Sequence, residues 1–158
     1  MKKQSIKKGQ IVQRVGELNS KVYHVQKGLL RSYTIDKNGR ENIFMFAPEG
    51  WTISDYLGPE SPTELIIDAI EDSEVIVLPK DLEREQKNVG PIIKRMGVLQ
   101  KRIMMLISTH AIERYEHFIQ TYPDIVKRVP QKMIASYLGV TPEALSAAKK
   151  LWLRNNKD

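Results

Sequence analysis

Cysteine is absent from the chain. That excludes disulfides, thiol nucleophiles, and iron–sulfur or zinc sites built on thiolates. Long apolar runs are missing too. No stretch approaches the roughly 20 residues that cross a bilayer, and the basic start MKKQSIKKGQ is followed by no apolar segment of signal-peptide type. The expectation is a cytoplasmic protein with no membrane association. Histidine is scarce: His24, His110 and His117 are the full set. The last two lie two helical turns apart, too far to share one metal directly, so no metal site is expected. Nor is there a nucleophile elbow, a phosphate-cradling glycine loop or a metal-binding histidine motif. Glu71 and Asp72 read as turn and solvated-face residues. No catalytic residue is assigned, and an enzyme is not expected.

What is present is an ordinary globular composition, 41% apolar and 28% charged over 158 residues. That is enough for one compact domain or two small ones. The net charge of +6 is unevenly placed. Residues 1–91 carry 13 basic and 14 acidic side chains, residues 92–126 carry 5 and 3, and residues 127–158 carry 7 and 2. The balances are therefore −1, +2 and +5. A basic terminal module on a neutral body suits a polyanionic partner, most often nucleic acid. A solvated Lys-rich tail has the same charge pattern.

From Lys7 to Pro79 the chain reads as short strands between turns. Lys21 to Lys27 alternates with period two, and Leu29 to Ile35 and Glu41 to Phe46 flank Asp36-Lys37-Asn38-Gly39. Asn-Gly is a strong hairpin signal because both residues accept positive φ. Leu65 to Ile70 and Glu74 to Leu78 form another pair. Strands at this spacing predict a β-barrel or sandwich. Beyond Pro79 the period changes. Ile92, Met96, Leu99, Ile103 and Leu106 recur at heptad spacing, with His110 next. A second stripe is Ile93, Met104, Ile107 and Ala111. A helix apolar on two faces needs two partners. One is the molecule's own barrel; the other is a second copy of the helix or an intramolecular helix. Gly97 in mid-helix suggests a close approach. His110 in a dimer seam would be a pH-sensitive position. The helix is expected to run on through Tyr115 and Phe118 and stop before Pro123.

The stretch VPQKMIASYLGVTPEALSAAKKLWLR, residues 129–154, has the pattern of two helices crossing at a tight turn. Ile134, Leu138, Val140, Leu145 and Ala148 form the inner set. Ala135 is the small residue at the crossing, and Gly139 is the turn. Thr141 is a good N-cap, and Pro142 follows at the first helical position. A bare helical hairpin shares this pattern. If it reads DNA, the outward residues are Thr141, Pro142, Glu143, Ser146, Ala147, Lys149 and Lys150. Glu143 would accept from cytosine and Ser146 would touch either partner of a pair. Lys127, Arg128, Lys132, Lys149, Lys150 and Arg154 would meet phosphates.

The strand-rich segment KKGQIVQRVGELNSKVYHVQKGLLRSYTIDKNGRENIFMFAPEGWTISD, then AIEDSEVIVLPKDL and the crossing pair above, together resemble the Crp/Fnr family of bacterial transcription regulators. The likeness covers about Lys7 to Lys150 and is strongest to the short-tailed regulators of Bacteroidetes-type bacteria. It implies an α+β chain. An N-terminal double-stranded β-helix (a β-roll or jelly roll) forms a sensor at 1–90, a long central dimerisation helix follows at 91–114, and an all-α helix-turn-helix closes the chain at 115–158. It implies a homodimer that binds double-stranded DNA under control of an unidentified small-molecule effector in the roll, with RNA polymerase as a further partner. The dimer seam would be Ile92, Met96, Leu99, Ile103, Leu106 and His110; the DNA-binding set, Lys132, Thr141, Pro142, Glu143, Ser146, Lys149 and Lys150. The alternative is a ligand-binding or scaffold module that has lost DNA recognition.

Four departures qualify that picture. Nucleotide-binding members carry a Gly-Glu pair and a downstream Arg that neutralises the cyclic phosphate. Here Ser54-Asp55 stands at the pair and Thr63 at the Arg. Burying a phosphate without a cation is expensive. This argues against cyclic AMP or cyclic GMP unless Arg31 or Arg40 substitutes, and no cofactor is assigned. Ser54, Asp55, Thr63 and Trp51 remain the effector-pocket candidates; Trp51 and Tyr56 would stack on a ring or anchor the loop apolarly. Second, cysteine ligands for the oxygen-sensing branch are absent. Third, Ala147 stands where the recognition helix usually has Arg. Fourth, the chain starts almost at the first strand and ends soon after the second helix, where many members add a helix and a β-hairpin wing.

Overall fold

The computed structural model describes residues 2–81, 89–107 and 110–156, the side chains of Pro91 and Ile92 excepted. The chain is α+β, with eight strands and four helices among the described residues. It divides into two compact units, residues 1–83 and 84–158.

The first unit holds all the strands: β1 (Lys2–Ile6), β2 (Ile11–Gln13), β3 (Lys21–Lys27), β4 (Leu30–Ile35), β5 (Glu41–Ala47), β6 (Thr52–Ile53), β7 (Ile66–Ala69) and β8 (Ser73–Pro79). They form two four-stranded sheets, ordered β1-β8-β3-β6 and β2-β7-β4-β5, with every pairing antiparallel. Period-two alternation sends one face of each strand into a shared core. Ile6, Tyr23, Val25, Ile53 and Val75 come from one sheet, and Leu30, Met45, Ala47, Ile67 and Ala69 from the other.

Two local features differ from the sequence reading. The basic start is itself a strand: β1 pairs with β8 from Lys2 opposite Val77 to Ile6 opposite Ser73. Of its residues only Ile6 is buried, so alternation gave almost no signal, and its lysines suit an edge strand that must not recruit another chain. The β4–β5 hairpin forms where expected, but Asn38 does not take positive φ. Gly39 does, at +76°, and the Asp36 carboxylate accepts from the amides of Asn38 at 2.8 Å and Arg40 at 2.9 Å. Asp36, rather than an Asn-Gly pair, makes this turn. A different glycine is sterically required. At Gly28 (φ +91°) an added Cβ would lie 2.6 Å from the Asp72 carbonyl oxygen.

The second unit contains α1 (Val89–Ile107), α2 (Ala111–Thr121), α3 (Gln131–Leu138) and α4 (Pro142–Asn155). The long helix does not run on as expected. His110 is extended (φ −98°, ψ 120°) and caps α2, so it leaves the seam helix; Ser108 and Thr109 lie outside the described residues. The heptad spacing continued across this break and concealed it. Around α2 the packing is aromatic. Phe118, Tyr122 and Tyr137 have ring centroids 5.4–5.6 Å apart, with Ile125, Val129, Ile134 and Leu138 buried.

Candidate functional site

The α3–α4 pair has the local chemistry that its sequence requires. Gly139 is left-handed at φ +63°. Its amide reaches Ser136 O at 3.2 Å, and the Val140 amide reaches Ala135 O at 3.0 Å. That is the paired closure of a Schellman turn. Thr141 then caps α4, its hydroxyl accepting from the Ala144 amide at 3.2 Å, and Pro142 opens the helix where no amide is needed. Ile134, Ala135, Leu138, Leu145 and Ala148 are buried, while Val140 is only half-buried.

Outside that apolar seam the face is polar and basic. Lys132, Thr141, Pro142, Glu143, Ser146, Ala147, Lys150 and Arg154 are exposed, and Lys149 is half-exposed. The structure brings these residues onto the exposed side of one helix pair. Glu143 sits in the first turn of α4. Its own backbone amide and then the Thr141 hydroxyl hold its carboxyl below the usual range, so it presents an ionised acceptor.

Two arginines that sequence reasoning passed over tie this unit together. Arg114 of α2 donates to Leu106 O at 3.0 Å, Leu138 O at 3.0 Å and Gly139 O at 3.3 Å. It therefore caps the C-terminal ends of α1 and α3 at once. Arg102 of α1 lies over the Tyr137 ring, 4.2 Å from its centroid, and burial lowers the pKa of its guanidinium from the ordinary value. Helical spacing alone places them on polar faces. No local signal marks their long-range carbonyl and ring partners.

The α1 seam residues divide. Met96, Ile103 and Leu106 are exposed, Leu99 is half-buried, and the Ile92 side chain lies outside the described residues. Ile93, Met104 and Ile107 of the second stripe are also exposed. The side of α1 turned into its own unit instead carries Arg95, Leu99, Arg102 and buried Met105. Beside it is a cavity of about 330 Å³ lined by Gln100, Lys101, Met104, Met105, Glu113 and His117. Burial, then Arg102 and Lys101, hold the His117 imidazole below its ordinary value.

In the first unit two of the effector-pocket candidates, Asp55 and Thr63, are bonded within the fold itself. Asp55 is fully buried. Its Oδ1 accepts from the Leu57 amide at 3.2 Å, and its Oδ2 from the amides of Glu64 at 2.8 Å and Leu65 at 3.0 Å. Buried Lys80 donates its ammonium to the Asp55 carbonyl. Thr63, also buried, donates its hydroxyl to Arg14 O at 2.6 Å. Ser54 is half-buried, and Trp51 packs against the core. Arg31, considered as a substitute cation, is held by Asp68 at 2.8 Å and Glu41 at 2.6 Å and stacks on Tyr33. Burial works against its charge, but its hydrogen bonds to Asp68 and Glu41 outweigh that and hold the guanidinium above its ordinary value. A small cavity of about 130 Å³ adjoins Thr63, lined by Gln13, Glu17, Asn19, Lys21 and Tyr23 among others.

Among the described residues, no cluster of His, Asp or Glu is arranged to hold a metal, and no helix is long and apolar enough to cross a membrane. Residues 3–85, just over half the chain, match the family model described as cyclic nucleotide-binding domain. The anaerobic regulatory protein of Haemophilus influenzae is 24% identical, over 92% of this chain and 64% of its own length. The chain thus spans less than two thirds of that curated relative. FixK2 from Bradyrhizobium japonicum superposes with a TM-score of 0.80 at 22% identity, covering 98% of this chain and 84% of that one. A transcriptional regulator of the CRP/FNR family from Thermus thermophilus gives 0.79 at 15%, covering 98% and 87%.

Proposed function

The chain belongs to the cyclic nucleotide-binding domain family, and on that premise we propose that it is a sequence-specific DNA-binding transcription regulator of the Crp/Fnr type. On this reading it acts in the cytoplasm as a homodimer. The observation that carries the reading is the α3–α4 pair: an apolar seam closed by the Gly139 turn, with Lys132, Ser146, Lys149 and Lys150 turned outward. A pair kept only for packing has no need of a basic outer face. In DNA, α4 would enter the major groove, with Glu143 and Ser146 at base edges and the lysines at phosphates.

The exposed stripe Ile93, Met96, Ile103, Met104 and Ile107 on α1 supports dimerisation, because a face this apolar is a contact surface. Gly97 on α1 has open space around its Cβ position, which leaves room for a second helix to come close. Two recognition helices must stand about 34 Å apart to read one palindromic site. A small change at the seam would therefore gate affinity by shifting the population between dimer geometries. Arg114, bridging the ends of α1 and α3, would transmit such a change. RNA polymerase is the partner met on DNA.

A second reading, a scaffold module that has lost DNA recognition, is favoured by one observation: exposed Ala147 and Pro142 leave α4 few groups able to read bases. Capture of sheared genomic DNA by the purified chain decides between them, with Lys149→Glu/Lys150→Glu as the control. A recurring near-palindromic site, lost in the control and weakened steeply by salt, is expected of the regulator. Sequence-blind capture, or none, means either that the regulator requires its effector or that the scaffold reading holds, and a ligand screen against the first unit separates the two.

A further inference from the structure

Membership of the family implies a cyclic nucleotide in the first unit, and the residues there do not fit one. Its anionic part would need converging donors or a cation. Three backbone amides do converge, those of Leu57, Glu64 and Leu65, but on the Asp55 carboxylate. The cation beside it, Lys80, is buried and donates to the Asp55 carbonyl. Thr63 brings a hydroxyl already given to Arg14 O. Arg31 is paired with two carboxylates, its side chain only 7% exposed. The adjoining cavity of about 130 Å³ is well below the roughly 300 Å³ at which small-molecule sites begin.

We propose that Asp55 is a built-in pseudo-ligand. Its carboxylate fills the oxyanion cradle formed by the amides of Leu57, Glu64 and Leu65, so this domain is held permanently in an occupied form and takes no cyclic nucleotide. Two facts make the cradle more than a loop contact. A carboxylate with no solvent exposure must have its charge met by donors, and here the donors are backbone amides, which stay in place whatever side chain stands at 55. The consecutive amides of Glu64 and Leu65 both turn on Oδ2, the pairing that makes an anion-binding concavity, while the Leu57 amide meets Oδ1. The emptied cradle should therefore accept a free carboxylate of the same shape.

The inference rests on the family reading of this domain and assigns its regulation: control of DNA binding would not come through a cyclic nucleotide. Its test reads ligand binding and thermal stability, so it is independent of whether the chain binds DNA. Calorimetry and thermal melts of the full chain with cyclic AMP and cyclic GMP, at about 1 mM so that weak sites fill, should give no binding heat and no rise in Tm. Asp55→Ala should lower Tm. Sodium formate should restore at least half of that fall while leaving the wild-type Tm unchanged, and sodium chloride at equal ionic strength should restore none. Asp55→Asn, which keeps the shape without the charge, should lower Tm and gain nothing from formate. A cyclic-nucleotide-dependent rise in the wild-type Tm would overturn the proposal. So would an Asp55→Ala fall that formate does not repair. Neither outcome would touch the DNA-binding reading, which fails only by DNA capture.

Discussion

Arg31 illustrates how far a single residue's role depends on partners distant in sequence. From the strand pattern it is one basic residue in β4, a candidate counter-ion for a bound phosphate. In the fold it lies opposite Asp68 of β7 and near Glu41 of β5, forming a two-point bridge to Asp68 at 2.8 and 2.9 Å. Asp68 was never singled out from sequence, because nothing local says which strand will stand beside β4. The two partners are unequal. The Asp68 side chain is 10% exposed and that of Glu41 42%, so water screens one far more than the other. Removing one member of a buried pair strands the other charge, at a cost of about 3 kcal/mol or more; an exposed partner contributes at most about 1 kcal/mol. Urea unfolding should accordingly show Asp68→Ala losing about 3 kcal/mol with little change in slope, and Glu41→Gln losing less than about 1 kcal/mol. Arg31→Met/Asp68→Leu should be milder than Asp68→Ala alone, since it leaves no buried charge. An Asp68→Ala protein as stable as wild type would show that the bridge contributes nothing.

At the scale of elements, legibility follows how local the governing chemistry is. The α3–α4 turn was readable in full because a glycine, a threonine and a proline within four positions each meet a backbone demand on the spot. Strand β3 was readable by alternation and the other main strands as runs between turns, β4 being buried on both faces over its first four residues. Three things were not. Strand β1 buries only Ile6 and is made by β8. The break at His110 lies under a heptad pattern that runs through it. The inner face of α1 carries Arg95 and Arg102 where an apolar face was expected, and the Tyr137 ring of α3 accepts the Arg102 charge. Sequence could not say that Asp55 would turn inward onto backbone amides, because two of those amides lie nine and ten positions further along the chain. The local rules at the α3–α4 turn have measurable weight. Thr141→Ala removes the side-chain cap of α4 and should cost about 1 kcal/mol. Gly139→Ala meets no clash, its Cβ lying 3.6 Å from the nearest atoms, so its cost is the left-handed backbone alone, about 1–2 kcal/mol. Chemical denaturation of the two variants measures both; a neutral Gly139→Ala would mean that the turn relaxes out of its left-handed conformation.

For the molecule as a whole, charge and apolarity divide in a way that suits the proposed dimer. The first 91 residues sum to −1 and the last 32 to +5, while the large exposed apolar residues concentrate on α1 between them. A single copy would leave Ile93, Met96, Ile103, Met104 and Ile107 in water. They recur at intervals of 3, 7, 1 and 3 residues on α1, which puts them on one side of a helix about 28 Å long at 1.5 Å per residue. Each such side chain moved from water into a contact contributes about 1.5–3 kcal/mol. Two substitutions within the stripe therefore remove at least about 3 kcal/mol per copy, a factor of 100 or more in the dimer dissociation constant. Ile103→Glu/Ile107→Glu should convert the chain from a dimer to a monomer in sedimentation equilibrium at micromolar concentration. Both side chains are exposed, so the fold should be kept, with unchanged circular dichroism. If DNA binding requires two heads, the same variant should lose affinity for a palindromic site and retain the weak, salt-sensitive binding of one basic head to any sequence. A variant that sediments as a dimer would move the interface off this stripe. A monomer that still binds the palindrome at full strength would separate DNA reading from dimerisation altogether.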